Sequence, residues 1–298
     1  MRFLIFVLVI LLCSTRVLGQ EIEPVVFPTE VMAEIKAVAS NEELIKDKVW
    51  NRWTTKNFVV CSLSNSQAQY LHANLENIKT WLQQRWGLYD VDFSAECKLI
   101  CVDDENLFKK LFRLEKSSVE VRRDSNGKIK ETVLFLLLNE PASRTIPMAL
   151  TEACISEFEQ KVGTKFGWWA HRGMAVLNGT SSNIRQCVQG PSAYFSIESI
   201  FNMTEEQYRR CDPEARKAFD RISMIMCLFL KKEFGTTKFQ EMLKETSSGQ
   251  GIEPAIVKVL MFKNLKDFDL SFQRYVKDLS DDIVANVTPD RYLSVEAR

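Results

Sequence analysis

Residues 145–177, TIPMALTEACISEFEQKVGTKFGWWAHRGMAVL, decide the fold. They read as a helix, a short glycine-bearing break and a second helix that opens on tryptophan. Thr145 is the expected N-cap. Pro147 suits a first helical turn, where a missing N–H leaves no partner unmet. Leu150, Cys154 and Phe158 recur every four residues and make one apolar stripe, with Thr151, Glu152 and Ile155 on neighbouring faces.

Two short motifs stand in this frame: Leu150-Thr151-Glu152-Ala153-Cys154-Ile155, and Trp169-Ala170-His171-Arg172-Gly173-Met174-Ala175. Their layout resembles the zinc-helix region of the peptidase-MA-like (gluzincin) metallopeptidases. That family has an apolar residue before His-Glu-x-x-His on one helix and Trp-x-x-Glu-Gly-x-Ala on the next. Two histidines four apart share a helix face and bind zinc, the glutamate between them activates water, and the later glutamate is the third ligand. Here Thr151 and Ile155 stand where the histidines would be, and Arg172 where the third ligand would be. Only Glu152, the general-base position, is kept. The resemblance therefore implies a degenerate site without zinc or any other cofactor. It also implies an α+β fold, a thermolysin-like sheet-plus-helix lobe followed by a helical lobe, with a cleft between them.

The chain of 298 residues has 39 basic and 39 acidic side chains, so no overall field favours nucleic acid. Residues 3–12, FLIFVLVILL, follow Arg2 and precede the small residues near Gly19, the shape of a signal peptide over 1–19 and too short for a comfortable span. An uncleaved signal anchor is the other reading. Cleavage would take away Arg2 and Arg16 and no acid, leaving 37 basic against 39 acidic groups and a secreted or periplasmic protein without a stable membrane span. Of the seven remaining cysteines, Cys97 and Cys101 are four strand steps apart, about 13 Å, and a disulfide tolerates less than about 7 Å. Cys187 and Cys211 flank a loop-rich segment and are the expected pair. Cys154 and Cys227 read as buried helix cysteines.

Residues 20–54 are expected to be a proline-marked lead-in and a helix over Thr29–Lys46. Strands are expected at Asn57–Leu63 and Glu96–Val102, and helices at Ser66–Trp86 and Glu105–Leu114. A hairpin, Val119–Arg123 and Lys128–Leu138, turns at Asn126-Gly127. The run from Val133 to Leu138 suits a strand covered on both faces. A mixed sheet of about four strands follows from this order. Helices then run over Pro213–Phe234, Thr236–Lys244, Glu253–Met261 and Asp267–Leu279. The peptidase-like domain spans 55–280, with its sheet lobe to about 140, the motif region at 145–177, the helical lobe at 196–280, and a tail at 281–298.

Glu152 is the natural relic base, and a salt bridge to Arg172 is its expected fate, because buried charges are usually paired. Cleft-lining candidates are Glu152, Trp168, His171 and Arg172. Trp169 reads as packing. Arg122 and Arg123 on the hairpin either contact a peptide laid along the edge strand or protect that edge. The leading functional expectation is a secreted pseudopeptidase that binds a peptide or protein ligand. Alternatives are a hydrolase with non-standard chemistry around Glu152, His171 or Cys154, and a purely structural or assembly component. Asn178-Gly179-Thr180, Asn202-Met203-Thr204 and Asn286-Val287-Thr288 fit the N-glycosylation pattern.

Overall fold

The computed structural model describes residues 35–36, 39, 44–45, 48–89, 92–114, 116–138, 142–179, 184, 187, 195–246 and 251–279. The stretch 1–19 read as a signal peptide, residues 20–34 of the lead-in, most of the helix expected over Thr29–Lys46, and the tail at 281–298 with Asn286 lie outside them.

Five strands form one mixed sheet in the order β1-β2-β3-β5-β4. They are β1 (Asn51–Thr54), β2 (Phe58–Ser62), β3 (Cys97–Val102), β4 (Ser118–Arg123) and β5 (Ile129–Leu137). The central three run parallel, with Cys61 beside Ile100 and Ile100 beside Phe135, while β1 and β4 are antiparallel edges. Sequence reading expects about four strands and assigns β1 to the lead-in. Only Trp53 of its four residues turns into the core, so no alternation announces it.

Helices cover both faces. α1 (Asn65–Trp86) is capped by the Ser64 side chain at one end and by Gly87 in a left-handed conformation at the other. Its Leu71, Leu75 and Leu82 pack with Val60, Leu99 and Leu134 on one face of the sheet. α2 (Glu105–Phe112) brings Phe108 and Leu111 to the opposite face, against Val59, Ile100, Val133 and Phe135, together with Ile35 and Ile45. A strand covered twice needs apolar residues at every position, and β5 supplies them from Val133 onward. The β4–β5 turn forms at Asn126-Gly127 as expected. Asp124 Oδ1 accepts from the N–H groups of Asn126 and Lys128 at 2.8 and 2.9 Å, and Gly127 takes φ 77°.

The rest is helical: α3 (Ala142–Val162), α4 (Trp168–Leu177), α5 (Ile197–Asn202), α6 (Glu205–Arg210), α7 (Pro213–Thr246), α8 (Ile252–Leu260) and α9 (Leu265–Lys277). α3 starts three residues before Thr145, so Thr145 is not its cap and Pro147 sits inside the helix. α7 bends at Gly235, whose φ of 80° and ψ of 169° separate the two helices read there from sequence. α5 and α6 lie wholly between Cys187 and Cys211, the segment read as loop-rich. Among the described residues, no helix is long and apolar enough to cross a membrane.

α3 is the wall shared by both halves. Its Ile146, Ala149, Leu150 and Ala153 join the sheet core, and its Cys154, Ile155 and Phe158 join the helical core with Trp169, Met174, Ile225 and Phe239. Apolar residues on two sides of one helix let it serve both cores, while its carboxylates are held by partners: Glu152 by Arg172, Glu157 by Ser94 and Glu159 by His171.

Candidate functional site

The two motif helices meet at the turn of residues 163–167. α4 then lies along α7 at close range. A Cβ on Gly173 would fall 2.3 Å from the Ser223 carbonyl oxygen and 2.5 Å from Cys227 Sγ, so only glycine fits. This contact brings the preceding residue, Arg172, between α3 and α7.

Arg172 is the centre of the site. Its Nε and Nη2 donate to Asp220 Oδ1 and Oδ2 at 2.9 and 2.8 Å, a two-pronged fork, and its Nη1 donates to Glu152 Oε1 at 2.9 Å. The salt bridge expected of Glu152 and Arg172 is formed. Tyr208 on α6 donates its hydroxyl to Asp220 Oδ2 at 3.1 Å, and the guanidinium carbon lies 5.3 Å from its ring centre. All three charged side chains are mostly covered, at 15% exposure for Arg172, 19% for Asp220 and 23% for Glu152. Burial alone would push the guanidinium toward neutrality. The hydrogen bonds and charges of Asp220, then the charge of Glu152, reverse that and hold it above its ordinary value. Burial likewise pushes the Tyr208 phenol up, so it remains a donor.

Thr151 and Ile155, which the resemblance set at the expected ligand positions, are equally settled. Thr151 is buried; its Oγ1 donates to the Pro147 carbonyl at 2.5 Å and accepts from Asn178 Nδ2 at 2.6 Å. Ile155 is wholly buried and offers no donor atom. A hydroxyl already bonded at both ends, an alkyl chain and a cation do not fit a zinc ion, which takes three neutral or anionic N, O or S ligands. Among the described residues, no group of three His, Cys, Asp or Glu side chains is placed to hold a metal ion.

His171 is drawn away from Glu152. Its Nε2 lies 2.8 Å from Glu159 Oε1, which also accepts the Phe166 N–H at 2.7 Å, and its ring stacks on Trp168 at 5.4 Å and 22°. A Cys154–His171 nucleophile pair has no support in this arrangement. The Cys154 thiol is wholly buried, and burial pushes it up to about 12, which suppresses the thiolate. Trp169 packs on Phe201 and Phe239 as read, and Trp168 bridges His171 and Tyr208.

Cys187 and Cys211 do not form the expected disulfide; each is a free thiol. The Cys211 thiol turns back onto the Gln207 carbonyl at 3.4 Å at the end of α6. Cys187 packs against the helical core, and burial, then the charge of Asp220, pushes its thiol up to about 12. On the sheet edge, Arg122 pairs with Glu120 and Glu131 at 3.0 and 2.7 Å, and Arg123 donates to the Gly127 carbonyl.

Sequence reading missed Asp220, Tyr208 and Glu159. No motif or spacing marks them: Tyr208 is the single buried side chain of a six-residue charged helix, and Asp220 and Glu159 lie 48 and 12 residues from Arg172 and His171, which they bind. Comparison with protein-family models, with curated proteins and with solved structures found no match.

Proposed function

We propose that this chain is a secreted, catalytically inactive peptidase-like protein, a pseudopeptidase of gluzincin-like fold that binds an extended peptide or a protein segment. The observation that carries the reading is the position of Arg172. The residue aligned with the third metal ligand is a cation, and it neutralises the relic base Glu152 together with Asp220. A carboxylate tied to a guanidinium lacks the metal-bound water on which a gluzincin glutamate works.

Binding is assigned to the sheet edge beside α3. β4 closes the sheet on that side, and among the described residues its outer backbone edge pairs with no strand, so an extended peptide can add to it. The side-chain ladder of Glu120, Arg122 and Glu131 supports recognition of mixed charge along that edge.

The test exposes the purified chain to a mixed peptide pool with and without added zinc. Mass spectrometry then looks for new termini and for peptides retained by the immobilised chain. The expected result is retention without cleavage. Zinc-dependent cleavage that disappears in Glu152→Gln would overturn the proposal in favour of an enzyme, and absence of retention would favour a structural component.

A further inference from the structure

Two of the three glycosylation-pattern sites lie among the described residues, and their fates in the fold are unequal. Asn178 ends α4 and is 0% exposed, with its side-chain nitrogen donating to Thr151 Oγ1 at 2.6 Å inside the α3–α4 contact. A glycan on that nitrogen would remove a donor hydrogen from this bond and would have to pass through the core. Asn202 is the opposite case. It is exposed at the end of α5, and the chain leaves it through Met203 in an extended conformation. Its flanks are fixed without it: Phe201 is seated in the helical core, and Thr204 begins α6 in a reciprocal cap with Gln207. The Asn202 side chain makes no contact that a glycan would break among the hydrogen bonds of the described residues.

We infer that, of the two sites among the described residues, Asn202 is N-glycosylated in the folded chain and Asn178 is excluded. The reaction needs a co-reactant of the secretory membrane, an oligosaccharide carried on a polyisoprenyl diphosphate. The Asn202 side-chain nitrogen forms a bond to the anomeric carbon as that carbon's bond to the diphosphate oxygen breaks. The lipid diphosphate leaves with the electron pair, and one amide proton passes to a carboxylate of the transferase. Chains modified at Asn178 before folding cannot seat α4 on α3, so they are absent from the folded, secreted fraction.

The test expresses the full chain in glycosylating cells, once with its own N-terminus and once with residues 1–19 replaced by an established signal sequence. The second form separates this inference from the reading of residues 1–19. Secreted protein is treated with a peptide amidase that releases N-glycans in heavy-oxygen water, which converts each glycosylated asparagine to labelled aspartate. The expected result is label at Asn202 and none at Asn178. Asn202→Gln should lose the corresponding mass while its thermal unfolding stays that of the parent. Label at Asn178 in folded secreted protein, or an unlabelled Asn202 in the form with the established signal, would overturn the inference.

Discussion

At the scale of single residues, the site is an electrostatic knot with one cation and two carboxylates. Removing the cation leaves Asp220 and Glu152 mostly buried with nothing to neutralise them. Breaking a buried pair in this way costs about 3–5 kcal/mol. Arg172→Ala should therefore lower the unfolding free energy measured by urea titration by that amount. Arg172→Lys should lose a smaller part, because it keeps the charge and cannot reproduce the fork on Asp220. An Arg172→Ala chain within about 0.5 kcal/mol of its parent would show that the knot is ornamental. A second buried acid behaves differently. Glu157 accepts both the N–H and O–H of Ser94 on Oε2, while burial raises its pKa above the ordinary 4.5 despite those bonds. A carboxyl whose folded pKa is raised contributes stability below its unfolded value and loses it as pH climbs through the folded value. Glu157→Gln, fixed in the uncharged form, should therefore unfold at a higher temperature than the parent at pH 7, with the gap closing as pH falls toward 4.5. A gap that is constant with pH would contradict this. The Glu152–Arg172 bond was legible in the sequence because a glutamate and an arginine stand on the two adjoining helices of the stretch 145–177, where buried charges are usually paired. Asp220 was not legible, since it lies 48 residues beyond Arg172 on a helix whose other signals are apolar.

At the scale of elements, close approach of α4 and α7 is the geometric condition for the site. The backbone of Ser223 occupies the space that a Gly173 side chain would need, and backbone yields less than a side-chain tip. Overpacking costs about 1–3 kcal/mol in general. Gly173→Ala should fall at the upper end, near 3 kcal/mol, and should raise the susceptibility of the Arg172 knot to proteolysis; unchanged stability in a denaturant titration would refute the contact. Elements with long periodic patterns were legible: α1, α2, the β4–β5 hairpin and the break of α7 at Gly235. Those that were missed share a physical reason. β1 is held by pairing with β2 and buries one side chain of four, so its own residues carry almost no signal. α5 and α6 have six residues each, too short for a period, although Thr204 and Gln207 spell a capping box that marks the start of α6. Pro147 misled because proline most often opens a helix, whereas α3 runs three or more residues upstream of Thr145 and accepts it internally.

At the scale of the whole molecule, the decisive fact is that α3 belongs to two cores at once. Leu150 is 0% exposed and packs with the sheet, while Ile155, one and a half turns on, is 0% exposed and packs with α4 and α7. Two lobes joined by a loop can unfold separately, but lobes that share a buried helix cannot, because losing either core exposes an apolar face of α3. Residues 48–279 should therefore unfold in one transition. Truncation of either side chain to alanine should cost about 2–5 kcal/mol, the usual range for a buried Leu or Ile. The informative measurement is where that loss appears. In guanidinium titrations followed by far-ultraviolet circular dichroism and tryptophan fluorescence, the parent should give coincident curves. Leu150→Ala and Ile155→Ala should each move both curves together, although one removes a contact to strands and the other a contact to helices. Two resolved transitions, with Leu150→Ala shifting only one and Ile155→Ala only the other, would mean that the halves fold independently. The Arg172 knot, which ties Glu152 of α3 to Asp220 of α7, would then belong to the helical half alone.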